Sequence, residues 1–299
     1  MKKKLQIFFS ILIVLVTIYI FTDYVVKHHQ IISRLLKVNP LEIILITLLY
    51  SLIFVTLYYL LKFMVQYFNI NIDKKDNLLL NAYSLLANFS FFGQAGPGIR
   101  AIYLRNKFKL AIKKFIFITL IYYSFYSVIA ICLILFGSSL KLIWSILIIL
   151  IVVSANFIAI RWYLKKRQLD HQKHLLSIKN LAYIFLATLA QLIIQTIIYI
   201  IELESIGKFA IHQIIAYSGF ADLSLFASIT PGGIGIREAF LIFSEKIHHI
   251  PTASIVLASL IDRSAYFIYL IVLLIIVLLF HGFKKIKKLN LVDKNELEK

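Results

Sequence analysis

Gln94-Ala95-Gly96-Pro97-Gly98-Ile99-Arg100-Ala101-Ile102-Tyr103-Leu104 and Pro231-Gly232-Gly233-Ile234-Gly235-Ile236-Arg237-Glu238-Ala239-Phe240-Leu241 are near copies of one another. With Arg100 laid on Arg237, an offset of 137 residues, five of the eleven positions are identical and a sixth pairs Tyr103 with Phe240. In a chain that is 61% hydrophobic, a Gly-x-Gly-Ile-Arg interruption that occurs twice is no compositional accident. The same offset superposes the apolar runs on either side: Leu5 falls on Leu142, Leu41 on Ile178 and Phe115 on Thr252. The chain therefore reads as two copies of one unit, each built around a broken, arginine-bearing element. That organisation is typical of membrane transporters.

Apolar runs of roughly twenty residues lie at 5–22, 41–61, 115–136, 142–160, 181–201 and 252–280. At about 1.5 Å per residue each can cross roughly 30 Å of hydrocarbon. With a mean hydropathy of +0.89, this predicts an all-α, polytopic helical membrane protein with no room for a soluble domain. Met1-Lys2-Lys3-Lys4 and the run behind it could pass for a secretory signal. The run is too long, and bulky Phe21-Thr22-Asp23-Tyr24 offers no cleavage site, so it reads as an uncleaved first span. The single cysteine, Cys132, excludes an internal disulfide and a thiolate metal cluster. The net charge of +18 sits in short loops beside the spans, where a cytoplasmic Lys/Arg excess explains it without a nucleic-acid partner.

Basic clusters at 2–4, 100–114, 161–179 and 284–288 all belong in the cytoplasm by the positive-inside rule, which puts both termini there. Loops 137–141 and 202–208, the latter with Glu202, Glu204 and Lys208, then lie outside; the 23–40 loop, with three basic residues, fits least well. Residues 77–98 start and finish on the cytoplasmic side, so they cannot cross once. Gly93 and Gly96-Pro97-Gly98 break the helix, and backbone left unpaired at that depth must be buried in protein or line a cavity. The expectation is a re-entrant hairpin over 77–113 and a second, entered from outside, over 209–247. Two repeats of opposite topology follow, 1–138 and 139–281, with a basic cytoplasmic tail at 282–299 and the hairpins meeting near the midplane. The alternative is eight simple spans with the glycine motifs as tight turns outside the membrane.

After each Gly-x-Gly a helix restarts, and its first turn offers free N–H groups and partial positive charge to an anion. Gly96, Gly98, Gly232, Gly233 and Gly235 would let a ligand oxygen approach the backbone, because no Cβ intervenes. Arg100 and Arg237 sit in those first turns, where a guanidinium can grip phosphate bidentately. The bland reading is that the glycines permit close packing and the arginines snorkel to the interface. Asp262 and Arg263 lie near mid-depth in the last span, and Asp222 lies in the first arm of the second hairpin. Adjacent Asp262 and Arg263 point about 100° apart on a helix, so Asp222–Arg263 or Asp262–Arg237 are the expected pairs. These could brace the bundle, or balance charge in a cavity where carboxylates meet an ammonium group. Tyr122, Tyr123 and Tyr126 could line the same cavity. His28-His29 and His248-His249 read as interfacial. No metal-ligand spacing, cofactor motif or catalytic constellation is present, so no metal, cofactor or catalytic residue is expected.

The second motif, with Gly93-x-x-Gly96…Arg100 upstream and Asp262-Arg263 downstream, resembles the lysylphosphatidylglycerol synthase transmembrane family. That family corresponds to the flippase portion of bacterial multiple peptide resistance factors, and the resemblance covers nearly the whole chain. The first motif departs from the family pattern Pro-Gly-Arg-x-Gly-Glu-x-x-Arg, with Phe92, Gln94 and Pro97 at the proline, arginine and glutamate positions. The resemblance implies a bacterial plasma-membrane protein that handles anionic or aminoacylated phospholipids. Arg100, Arg237, Glu238, Asp222, Asp262, Arg263 and the motif glycines would contact the headgroup. Full-length members also carry a cytosolic lysyltransferase domain. Only 282–299 follow the last apolar run here, so that activity is not expected of these residues. A membrane-embedded transferase using a lipid-linked donor, or a partner subunit of a cell-envelope enzyme, is the alternative to translocation; self-association is also open.

Overall fold

The computed structural model describes residues 38–90, 95–138, 142–166, 178–227, 233 and 235–297. The expected first span at 5–22, the expected helix break at Gly93, Gly232 and most of the 161–179 basic loop fall outside the described residues. Among the described residues there are ten helices and no strand. Pro40 starts α1 (Pro40–Gln66), and the Asn39 side chain caps it by accepting from Leu41 N–H at 3.0 Å. The order continues α2 (Lys74–Ser90), α3 (Ala95–Phe108), α4 (Ile112–Gly137), α5 (Leu142–Lys166) and α6 (Ile178–Glu204). Then follow α7 (Ile211–Ala227), α8 (Ile236–Phe243), the single turn α9 (Glu245–His248) and α10 (Thr252–Leu297).

Four stretches, Pro40–Gln66, Ile112–Gly137, Lys179–Glu204 and Thr252–Phe280, are long and apolar enough to cross a membrane. The expected span at 142–160 is helical too, though its described apolar stretch, Ile143–Ala155, is shorter. Leu41, Ile44, Leu48 and Leu52 line the outer face of α1, and Ile271, Leu274, Ile275 and Leu278 that of α10; all eight are exposed. Water would not tolerate so wide an apolar surface, whereas lipid does. The protein is a multi-pass membrane protein.

Helices α2 and α3 fold back on each other, because Lys107 near the end of α3 pairs with Asp76 in the first turn of α2. Its hydrogen bond to the Asp76 carboxylate holds the Lys107 ammonium above its ordinary range. This pair is partly exposed, and Lys107→Ala is expected to shift the melting temperature only slightly in a thermal scan. The second broken element folds back likewise: Phe220 on α7 meets Phe240 on α8 at 6.1 Å, and Tyr217 meets His248 at 5.5 Å.

The two halves use corresponding contacts. Helix α4 packs on α7 as α10 packs on α2, α4 packs on α6 as α10 packs on α1, and α1 and α6 pack on each other. Shifted by 137 residues, Lys74–Ser90 coincides with Ile211–Ala227 at both ends. Helices α1 and α6 run antiparallel, since Phe63 late in α1 stacks on Tyr183 early in α6 at 4.8 Å. The α4–α7 crossing is the tightest of these joints. A Cβ added at Gly137 would stand 2.3 Å from Ala216 N, and one at Gly219 would stand 2.5 Å from Ala130 O.

Candidate functional site

The two broken elements converge on one cavity of about 280 Å³. Pro97 and Arg100 reach it from α3, Gly233 and Arg237 from the second broken element, and Asp262 and Arg263 from α10. The remaining polar wall is tyrosine and amide: Tyr50 from α1, Tyr122, Tyr123 and Tyr126 from α4, Gln191, Gln195 and Tyr199 from α6, and Asn88 from α2.

Arg100 is positioned by the polar face of α2. Its Nε donates to Ser84 Oγ at 3.1 Å and its Nη2 to Asn81 Oδ1 at 2.8 Å. Asn81 is held in turn by Asn77, to whose side chain it donates at 2.7 Å. The acceptors of Arg100 are thus neutral. Gly96 is buried against the same face: its N–H donates to Asn88 Oδ1 at 2.6 Å, and an added Cβ would stand 2.7 Å from Ser84 O. Gly98 is exposed and has open space where a Cβ would go. Gly96→Ala should therefore push α2 and α3 apart and lower the melting temperature, while Gly98→Ala should leave it nearly unchanged; thermal melts compare them.

The second motif needs its glycines for another reason. Gly233 has φ 70° and Gly235 φ 82°, the left-handed region where a side chain is strained. Glu238 closes the turn by accepting from Gly235 N–H at 2.7 Å, and its other oxygen accepts from Arg263 Nη2 at 3.0 Å. Arg237 is 6% exposed and donates through Nη1 to Asp262 Oδ2, while Tyr50 OH donates to Asp262 Oδ1. The guanidinium also lies over the Tyr199 ring at 5.2 Å. Neither Nε nor Nη2 of Arg237 has an acceptor among the described residues.

Of the two ion pairs expected from sequence, Asp262–Arg237 forms; the partner of Arg263 is Glu238 rather than Asp222. Asp222 is fully buried behind the tyrosine wall and accepts from Tyr126 OH at 3.2 Å. The N–H groups of Gly96 and Gly235 already have protein acceptors. Arg100, Arg237 and Arg263 bring the charged donors to the cavity wall.

The structure moves two residues from their expected surroundings. Glu202, expected in an outside loop, is fully buried at the end of α6. The apolar run at 181–201 stops before it, but the helix continues to Glu204. His248, expected at the interface, is also fully buried. Its Nδ1 accepts from Ile250 N–H at 3.1 Å, which makes Nε2 the donor to Leu241 O at 2.9 Å.

Sequence reasoning also missed Tyr50, Asn81, Ser84 and the α6 residues. A usable signal was there: Asn77, Asn81, Ser84 and Asn88 recur at three- and four-residue spacing, as do Gln191, Gln195, Tyr199 and Glu202. Each set is one polar stripe on an otherwise apolar helix.

No curated protein matches the chain. The model of the family described as the lysylphosphatidylglycerol synthase TM region matches residues 7–275, and the chain belongs to that family.

Proposed function

We propose that this protein moves a phosphate-bearing polar lipid between the leaflets of a bacterial plasma membrane. One observation carries the reading: each broken element delivers an arginine, Arg100 and Arg237, to the same cavity. The acceptors of Arg100 there are neutral, and Asp262 takes only one edge of the Arg237 guanidinium, so both arginines have donors left for an anion. The headgroup would sit between the two arginines while the acyl chains stay in lipid. The half-satisfied guanidinium of Arg237 offers an edge to phosphate, and the aromatic and amide wall accommodates the rest of the headgroup.

In this reading the two broken elements are re-entrant hairpins approaching from opposite faces, within inverted repeats 1–138 and 139–281. The matching contacts of the two halves and the return of Lys107 to Asp76 support it. Lys109 and His249 report the topology. Lys109→Cys should react with an impermeant maleimide only from the cytoplasm and His249→Cys only from outside; Lys109→Cys labelled from outside sinks the hairpin arrangement.

Proteoliposomes test the activity itself. A fluorescent phosphatidylglycerol should change leaflets at least about tenfold faster with the protein than without it, and Arg100→Gln should remove most of that gain. Equal rates with and without protein, for any anionic lipid, overturn the proposal. Conversion of the lipid rather than its movement would point to a transferase.

A further inference from the structure

Phe89, at the tip of α2, and Phe226, at the tip of α7, hold the same place in the two halves of the chain. The offset of 137 residues that superposes the glycine motifs superposes these two rings as well. Both line the arginine cavity. Each ring also crosses to a long helix of the other half. Phe89 meets Tyr266 and Phe267 on α10, at centroid distances of 6.1 and 6.0 Å. Phe226 meets Tyr123 and Tyr126 on α4, at 5.5 and 5.8 Å. The α2–α10 and α4–α7 seams therefore each end at the cavity in a phenylalanine.

The far side of each ring faces outward. Phe267 is 51% exposed, so Phe89 lines the cavity and also touches a residue on the outer surface. Phe226 is itself 44% exposed. At either seam a phenylalanine ring stands between cavity and lipid, held by aromatic contacts that are individually weak. The backbone need not move with it. Helices α4 and α7 are locked at Gly219, where an added Cβ would stand 2.5 Å from Ala130 O, about two helical turns before Phe226.

The size of the cavity calls for such exits. At about 30 Å³ for each water-sized group, its volume of about 280 Å³ holds roughly nine of them. A phosphate with a small alcohol fills that space, and a pair of long acyl chains does not fit in it.

We infer that Phe89 and Phe226 are paired lateral gates, through which the acyl chains of a lipid whose headgroup occupies the arginine cavity reach the surrounding bilayer. The inference deepens the translocase reading above and rests on it. With α2 entered from the cytoplasm and α7 from outside, the Phe89 seam serves the inner leaflet and the Phe226 seam the outer. Turning one ring and then the other lets the chains change sides while the headgroup stays with Arg100 and Arg237. The occupant is a membrane-anchored anion, because a soluble one needs no opening into lipid.

Photo-capture by the full-length protein in proteoliposomes tests the gates. Benzoylphenylalanine at position 89 or 226 should capture radiolabelled phosphatidylglycerol at least about tenfold more than radiolabelled diacylglycerol, which has the chains without the phosphate. The same probe at Ile275, exposed on the outer face of α10, should capture both equally. Bridging then reads transport. In a Cys132→Ser background, F89C/F267C and Y123C/F226C are each joined by a short bis-thiosulfonate. Each bridge should remove most of the protein-dependent movement of fluorescent phosphatidylglycerol until a reductant restores it. Equal capture of the two lipids at 89 or at 226, or undiminished transport with either seam bridged, overturns the paired gates and leaves the translocase reading intact. Wild-type protein that moves no anionic lipid overturns that reading and the gates with it. Should the cysteine pairs be inactive before bridging, the capture ratios alone decide.

Discussion

Arg237→Gln is expected to lose both headgroup binding and much of the fold's stability. The side chain is almost completely buried between Asp262 and the Tyr199 ring. Glutamine cannot replace the charge, and Asp262 is left buried with its cation gone and Tyr50 still donating to it. Removing one partner from a buried pair costs about 3–5 kcal/mol, because the survivor keeps its desolvation penalty. A hydrogen bond to a charged group contributes about 1.5–3 kcal/mol, so anion affinity should fall roughly tenfold to a hundredfold. The double variant Arg237→Gln/Asp262→Asn separates the two losses. Neutralising both partners should recover most of the stability in a denaturant melt but none of the affinity. Wild-type affinity in Arg237→Gln would end the case for this residue as the anion's ligand.

Gly219→Val and Gly137→Val should each destabilise the protein by several kcal/mol, more than the usual 1–3 kcal/mol for overpacking. The reason is what the new atoms meet. At Gly219 a Cβ would lie 2.5 Å from Ala130 O and 2.8 Å from Ile134 N; at Gly137 it would lie 2.4 Å from His212 O. These are backbone atoms of a facing helix, so relief requires α4 and α7 to separate along the crossing. Gly207 is the control, since a Cβ there would meet only the Phe209 ring, at 3.4 Å. Thermal melts of Gly207→Ala and the two valine variants should differ widely. Near-equal melting temperatures would show that the α4–α7 crossing does not limit stability.

Much of the cavity's charged lining is legible in the chain itself. The duplicated glycine–arginine motif named Arg100 and Arg237, and the cost of mid-span charge named Asp262. Their pairing was one of two candidates, and spacing alone could not choose between them. Gly96 and Gly98 illustrate the limit. The two look alike in the repeat, yet one is pressed against Ser84 and Asn88 and the other faces open space.

Helices, breaks and the repeat were set locally. Run length and proline and glycine placement act on neighbours a few residues away, so the primary sequence carries the helices, though not their ends: α3 already includes Gly96-Pro97-Gly98, and α6 runs on to Glu204. The company each polar group keeps was decided by packing. Tyr50 and Asp262 are 212 residues apart in sequence, and nothing in either helix's own periodicity specifies that they meet. Glu202 is fully buried because α6 is laid against α1, α7 and α10. Such juxtapositions follow from how closely helix backbones can approach and which faces then coincide, a property of the assembled bundle rather than of any one segment.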